Sequence, residues 1–216
     1  MRVVYVLLSL LVVGVLAFAT LRPVQVLPRI RLAPGFLLTD AYGGRLTNED
    51  MRGRLTLYNF TRTRCEAPCP QTSQVMQAVQ ARLGEIETDL PIELVTISLD
   101  PEYDTPAALQ AYAQKWQADP QRWHLVTGDA ERLKWIVGGG FGVYYAFKED
   151  GRFTFDPAFM LVDGAGILRA EYRTASPDVD RILRDLRLVV QEVENSTGAA
   201  RYAYEAAHLF LCYPRG

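Results

Sequence analysis

The feature that most constrains this chain is an apolar run that leads into a pair of cysteines. Residues 55–60 (LTLYNF) have the length and composition of a buried strand, and Cys65-Glu66-Ala67-Pro68-Cys69-Pro70 stands directly behind them. Beyond the thiols, Val75, Met76, Val79, Leu83 and Ile86 recur at helical spacing, which predicts an amphipathic helix over 71–87. A second apolar run, 92–99 (IELVTISL), is bracketed by Pro91 and Pro101 and predicts another strand. Strand, thiols, helix and strand in that order require a sheet with helices packed on it.

The remaining pattern extends the same scheme. Thr105 caps a helix with Pro106 at its first position and Leu109, Tyr112 and Trp116 on its inner side. Leu125-Val126-Thr127 reads as a short strand, and Asp129 caps a helix around Leu133, Ile136 and Val137. Two strands joined by a turn at Glu149-Asp150-Gly151 follow. Then 159–162 and 167–172 flank the turn Asp163-Gly164-Ala165-Gly166. Ser176-Pro177 opens a last core helix with Val179, Ile182, Leu186 and Val189 inward. The expected fold class is α/β, a central sheet with helices on both faces and an antiparallel finish. Gly138-Gly139-Gly140 lies between a helix and a strand, the reverse of a phosphate-binding loop, and is read as a turn.

Composition narrows the function. The chain has 216 residues, 49% hydrophobic and 22% charged, with net charge −2, which suits a globular core and excludes nucleic acid as a partner. Residues 3–21 carry no charge. At about 1.5 Å per residue a helix of that length spans roughly 28 Å, close to the hydrocarbon thickness of a bilayer. It is longer than the apolar region of a signal peptide, although Ala17-Phe18-Ala19 has the form of a cleavage signal. The expected organisation is a single transmembrane helix as membrane anchor over 1–21, an extended linker over 22–37, a globular domain over 38–194 and a docking tail over 195–216. With Arg2 held inside, the bulk of the chain is extracytoplasmic, on the periplasmic side. Export permits disulfide chemistry. The three cysteines, Cys65, Cys69 and Cys212, are too few for a disulfide scaffold. The pair Cys65/Cys69 stays open to three uses: a soft-metal site, a redox couple or a local structural disulfide.

Four segments carry a resemblance to a known family: 60–70 (FTRTRCEAPCP), 99–106 (LDPEYDTP), 141–145 (FGVYY) and Leu161-Val162-Asp163. In this order they resemble the Sco/SenC family of membrane-anchored, thioredoxin-like proteins. The resemblance implies a thioredoxin-like fold and copper handling, with Cu(I) held by Cys65, Cys69 and a histidine. It also implies a place in assembling the binuclear copper centre of cytochrome c oxidase, or, for some members, thiol-disulfide reduction of that centre. The implied partners are the membrane and subunits of a respiratory or photosynthetic electron-transfer complex. Cys65, expected at the helix entrance, is the candidate nucleophile and Cys69 the second thiol. Arg62 and Arg64 are expected to add positive potential, and Asp100 and Asp104 to cap the DPxxDTP loop.

One departure matters. The family's histidine precedes the strand ending in Leu-Val-Asp, but here 152–158 reads RFTFDPA, and Phe155 falls in the ligand's place. Pro157 instead aligns with the cis-proline of TlpA/ResA-type thiol oxidoreductases and is expected to be cis and to face Cys65. His124 reads as a packed or surface histidine. His208 and Cys212 stand at i, i+4 in the apolar tail and form the other candidate metal position, in a helix otherwise expected to dock through Tyr202, Tyr204, Leu209 and Phe210. The functional readings are therefore a thiol-disulfide oxidoreductase, a Cu(I) metallochaperone, or a non-catalytic accessory subunit.

Overall fold

The two longest strands form the centre of an eight-stranded sheet in a computed structural model that describes residues 2–21, 25–148 and 153–210. In chain order the strands are β1 Arg31–Leu32, β2 Leu37–Asp40, β3 Arg45–Thr47, β4 Leu55–Thr61, β5 Ile92–Ser98, β6 Trp123–Thr127, β7 Tyr145–Phe147, β8 Phe153–Phe155, β9 Phe159–Val162 and β10 Ile167–Tyr172. The helices are α1 Arg2–Leu21, α2 Cys69–Arg82, α3 Pro106–Lys115, α4 Ala130–Leu133, α5 Val179–Asn195 and α6 Ala200–Phe210. Two compact units result, Arg29–Arg187 and Met1–Pro28 with Leu188–Gly216.

The first unit holds the whole sheet, ordered β1-β10-β9-β4-β5-β6-β2-β3. β4, β5 and β6 are parallel, and β9 and β10 return antiparallel. Every residue of β4 and β5 is buried, as expected of strands covered on both faces. Alternation then divides their side chains. Tyr58, Phe60, Val95, Ile97 and Leu99 join one core with Ile136, Val137 and Phe141. On the other face, Thr61 meets the Tyr112 hydroxyl of α3 at 3.3 Å, and that hydroxyl meets Ser73 of α2 at 2.7 Å.

Several boundaries differ from the sequence pattern. α2 stops at Arg82 and closes in a 3₁₀ turn, Leu83–Glu85, short of residue 87. Arg31–Leu32, expected within the extended linker, pairs with β10 as the edge strand. The turn at Glu149-Asp150-Gly151 lies outside the described residues, but the strands on either side of it pair as the β7–β8 hairpin, a sheet of its own. Gly138-Gly139-Gly140 forms no simple turn. It sits in a π-helical segment, Lys134–Phe141, whose last carbonyls accept from Arg31: Nη1 to Gly140 O at 2.6 Å and Nη2 to Phe141 O at 3.2 Å. A Cβ at Gly140 would lie 2.4 Å from Pro34 Cβ, so only glycine fits there. An unforeseen buried ion pair, Arg169 Nη1 to Asp163 Oδ2 at 3.0 Å, arises because the β9–β10 register shifts between Leu168 and Ala170 and leaves Arg169 as the extra residue.

In the second unit, every described Val, Leu and Tyr of α1 is more than half exposed. Among the described residues no helix is long and apolar enough to cross a membrane. Tyr204 of α6 donates to Gln191 O at 3.2 Å, and Tyr202 is exposed.

Tyr172 is buried and donates to Asp185 Oδ2 at 2.7 Å. Burial first, and the Asp185 charge second, push its phenol above the ordinary value of 10.0. As pH rises past that value the unfolded chain releases this proton and the folded chain keeps it, so stability present below pH 10 is lost above it. Between pH 8 and 11 this single group is expected to remove about 1.4 kcal/mol. Urea midpoints of Tyr172→Phe should therefore fall less steeply over that interval than those of the unsubstituted protein.

Candidate functional site

Parallel strands β4 and β5 end at the same edge of the sheet, so the segments that follow them lie together. After β4 the chain runs Arg62-Thr63-Arg64 to Cys65, whose N–H donates to Arg62 O at 3.3 Å. After β5 it runs through Asp100 and Asp104 to Thr105, which caps α3 by accepting from Ala108 N at 3.4 Å. The two segments are bonded to each other. Asp104, fully buried, accepts from Thr63 N at 3.0 Å, from the Thr63 hydroxyl and from the Ser98 hydroxyl. Asp100, also buried, accepts from Arg64 Nε at 2.9 Å, with Arg62 Nη1 at 3.8 Å from the same oxygen.

Cys65 and Cys69 form a disulfide with their Cα atoms 5.7 Å apart. The two sulfurs are not equivalent. Cys69 is the first residue of α2 and is completely buried, whereas Cys65 lies in the loop before the helix and is partly exposed. This corrects the expectation that Cys65 sits at the helix entrance: Pro68 occupies the capping position, so the N-terminal dipole of α2 acts on Cys69. Accessibility, however, singles out Cys65. Arg62 and Arg64 do not stand as free positive charges beside it either, because Asp100 takes both. Their remaining surfaces are stacked: Arg62 lies 4.6 Å from the Phe153 ring centroid and Arg64 lies 4.4 Å from that of Tyr103.

Pro157 needs a second correction. The cis peptide bond among the described residues is Ala67–Pro68, inside the cysteine loop, and the bond preceding Pro157 is trans. Pro157 does lie at the right edge of the sheet. β9 pairs with β4 through Asn59↔Phe159, and two further steps of that register bring Pro157 level with Thr61. Phe155 is buried in the same apolar cluster as Cys69 and Ala158, and Cys65, Tyr145 and Phe153 pack against that cluster. Phe147, Phe153 and Phe155 pack one against the next as tilted rings, with centroids 4.9 and 5.5 Å apart. An aromatic ladder therefore lines the hairpin, with Phe155 in the place that the family resemblance gives to a histidine.

Among the described residues no three His, Cys, Asp or Glu side chains form a group that could hold a metal ion. His124 meets Glu93 Oε2 at 3.3 Å, and Glu93 also pairs with Arg54, so this histidine is a packed one. His208 meets Glu192 Oε1 at 2.8 Å in the second unit, where α6 lies along the end of α5; Cys212 lies outside the described residues.

Comparison with known proteins bears on this arrangement. The family model described as SCO1/SenC matches residues 25–191. The chain belongs to the SCO1/SenC family. Over 160 residues it is 34% identical to the mitochondrial SCO2 homolog of Bos taurus, covering 70% of this chain and 58% of that protein. The chain spans about a third to three-fifths of the length of the curated relatives it matches. Among solved structures, a SCO1/SenC family lipoprotein from Bacillus anthracis has a TM-score of 0.66 at 25% identity, covering 74% of this chain and 95% of that one. Arabidopsis thaliana ScoI with copper bound has a TM-score of 0.64 at 25% identity, covering 76% and 98%. The α/β, thioredoxin-like Sco fold expected from the sequence is thus present, with the family's CxxxCP motif as its disulfide and an aromatic hairpin beside it.

Sequence reasoning placed Asp100 and Asp104 near the thiols but missed their partners. Thr63, Ser98 and Tyr103 carry no motif of their own; only the adjacency of parallel strand ends brings them in. Because Asp104 joins three donors in a buried setting, Asp104→Leu is expected to strand them and to lower unfolding free energy by about 2–3 kcal/mol, read from urea midpoints with the disulfide intact.

Proposed function

We propose that this protein is a membrane-tethered, extracytoplasmic thiol-disulfide exchange protein serving a copper-containing electron-transfer complex. Sco-family proteins handle copper and act in cytochrome oxidase assembly, and that family role gives the class of partner. The observation that carries the exchange reading is the unequal disulfide: one sulfur sealed at a helix N-terminus, the other reachable. In the reduced protein the Cys65 thiolate attacks a partner disulfide and releases one partner thiol. Cys69 then attacks Cys65 Sγ, releases the second partner thiol and closes the Cys65–Cys69 bond. Two electrons pass from protein to partner. Cys69 is well placed as the resolving group, since the dipole of α2 favours its thiolate.

Copper fits these residues only in part. Two thiolates are soft ligands suited to Cu(I), but a third protein ligand is absent among the described residues, with Phe155 packed where one would be required. No step is assigned to the metal here.

The tether reading rests on α1. It is a twenty-residue helix whose described Val, Leu and Tyr side chains are all exposed, an apolar surface that favours an apolar surrounding. With this anchor the domain sits where disulfides form.

Two measurements test the proposal. After reduction with dithiothreitol and removal of the reductant, the protein should reduce a disulfide-bearing peptide. Cys65→Ser should abolish this, and Cys69→Ser should accumulate a mixed disulfide at Cys65. A Cys65→Ser/Cys69→Ser protein that still supports assembly of its complex would leave only the accessory-subunit role. For the tether, deletion of residues 2–21 should move the protein from the membrane pellet to the supernatant; an unchanged pellet fraction would rule α1 out as the anchor.

A further inference from the structure

Only one sulfur of the disulfide is within reach of another protein, and the surface beside it is unevenly charged. Glu66 follows Cys65 directly and Glu102 precedes Tyr103. Both are exposed, and among the described residues neither has a hydrogen bond or ion pair. The loop's two cations are already engaged, with Arg62 and Arg64 both directed at Asp100. Asp104 takes its donors from neutral groups, Thr63 and Ser98. Around Cys65 the carboxylates of Glu66, Asp100, Glu102 and Asp104 therefore outnumber the two guanidiniums by two. Among the described residues the hairpin and the segment after it add Lys148 and Asp156, both exposed and of opposite charge.

The aromatic surface points the same way. Tyr103 is 49% exposed and holds Arg64 on part of its ring. Phe147 is also 49% exposed, packs at a tilt against Phe153, and its ring centroid lies 5.9 Å from the Arg62 guanidinium. Two half-open rings and two unpaired carboxylates make a surface that recognises guanidinium and ammonium groups, the rings by cation–π contact and the carboxylates by charge-assisted hydrogen bonds.

We infer that the exchange partner presents its disulfide in a segment flanked by arginine or lysine, with Glu66 and Glu102 as specificity-determining residues. The inference rests on the exchange reading above and names its substrate class. Basic flanks are drawn to the site before covalent contact, so the effect falls on the rate of encounter and weakens with salt.

The test uses the reduced full-length protein with two synthetic peptides, each holding one intramolecular disulfide, one flanked by arginine and lysine and the other by glutamate. At low ionic strength the basic peptide is expected to be reduced about 5–10-fold faster, a gap that closes in 0.5 M salt, the range in which surface charge alters encounter rates. Glu66→Lys/Glu102→Lys should reverse the order of the two peptides. Equal rates for both peptides, or a preference that survives the double substitution, would overturn the inference while leaving exchange at Cys65 in place. Failure to reduce either peptide would overturn the exchange reading itself, and the inference with it.

Discussion

The arrangement of the site depends on β4 and β5 running parallel. Strands that point the same way deliver their following segments to the same edge, here the cysteine loop and the DPxxDTP loop. Asp104 then makes that neighbourhood specific. Its buried carboxylate receives hydrogen bonds from Ser98 at the end of one strand and from Thr63 just past the end of the other. Placing a carboxylate in a dry interior costs several kcal/mol unless its oxygens are satisfied, so the two loops are held together or the charge is left bare. Everything said of Cys65 follows from this junction, because Cys65 stands two residues beyond Thr63.

Much of this was legible in the sequence. The two apolar runs, the helical spacing beyond Cys69 and the capping residues Thr105 and Asp129 translate directly into β4, β5, α2, α3 and α4, because each reports local burial or local hydrogen bonding. The edge strand Arg31–Leu32 did not show itself: two residues carry no periodicity, and their pairing with β10 is a matter of tertiary register. The π-helical segment was hidden for a related reason. Three glycines announce freedom of backbone, not which winding the segment takes, and the contacts that Arg31 and Pro34 make with Gly140 come from far along the chain.

At the site itself the residue types were readable and their roles were not. Arg62 and Arg64 look in sequence like a positive field for a thiolate; in space both are directed at the one carboxylate of Asp100, and their planes rest on Phe153 and Tyr103. Cys65 and Cys69 look equivalent until the helix start is located, after which one sulfur is sealed and the other is not. Pro157 lay at the expected edge of the sheet, yet the cis bond belongs to Pro68, a position that sequence similarity to thiol oxidoreductases does not indicate.

The β7–β8 hairpin pairs only with itself, as a two-stranded sheet outside the eight-stranded one. Its backbone pairing is thus independent of the scaffold, while Phe155 is buried in the core of the main sheet and Tyr145 and Phe153 pack against that core. A side chain on this hairpin can therefore be exchanged without any strand of the main sheet changing its partner, and the change is felt through packing alone.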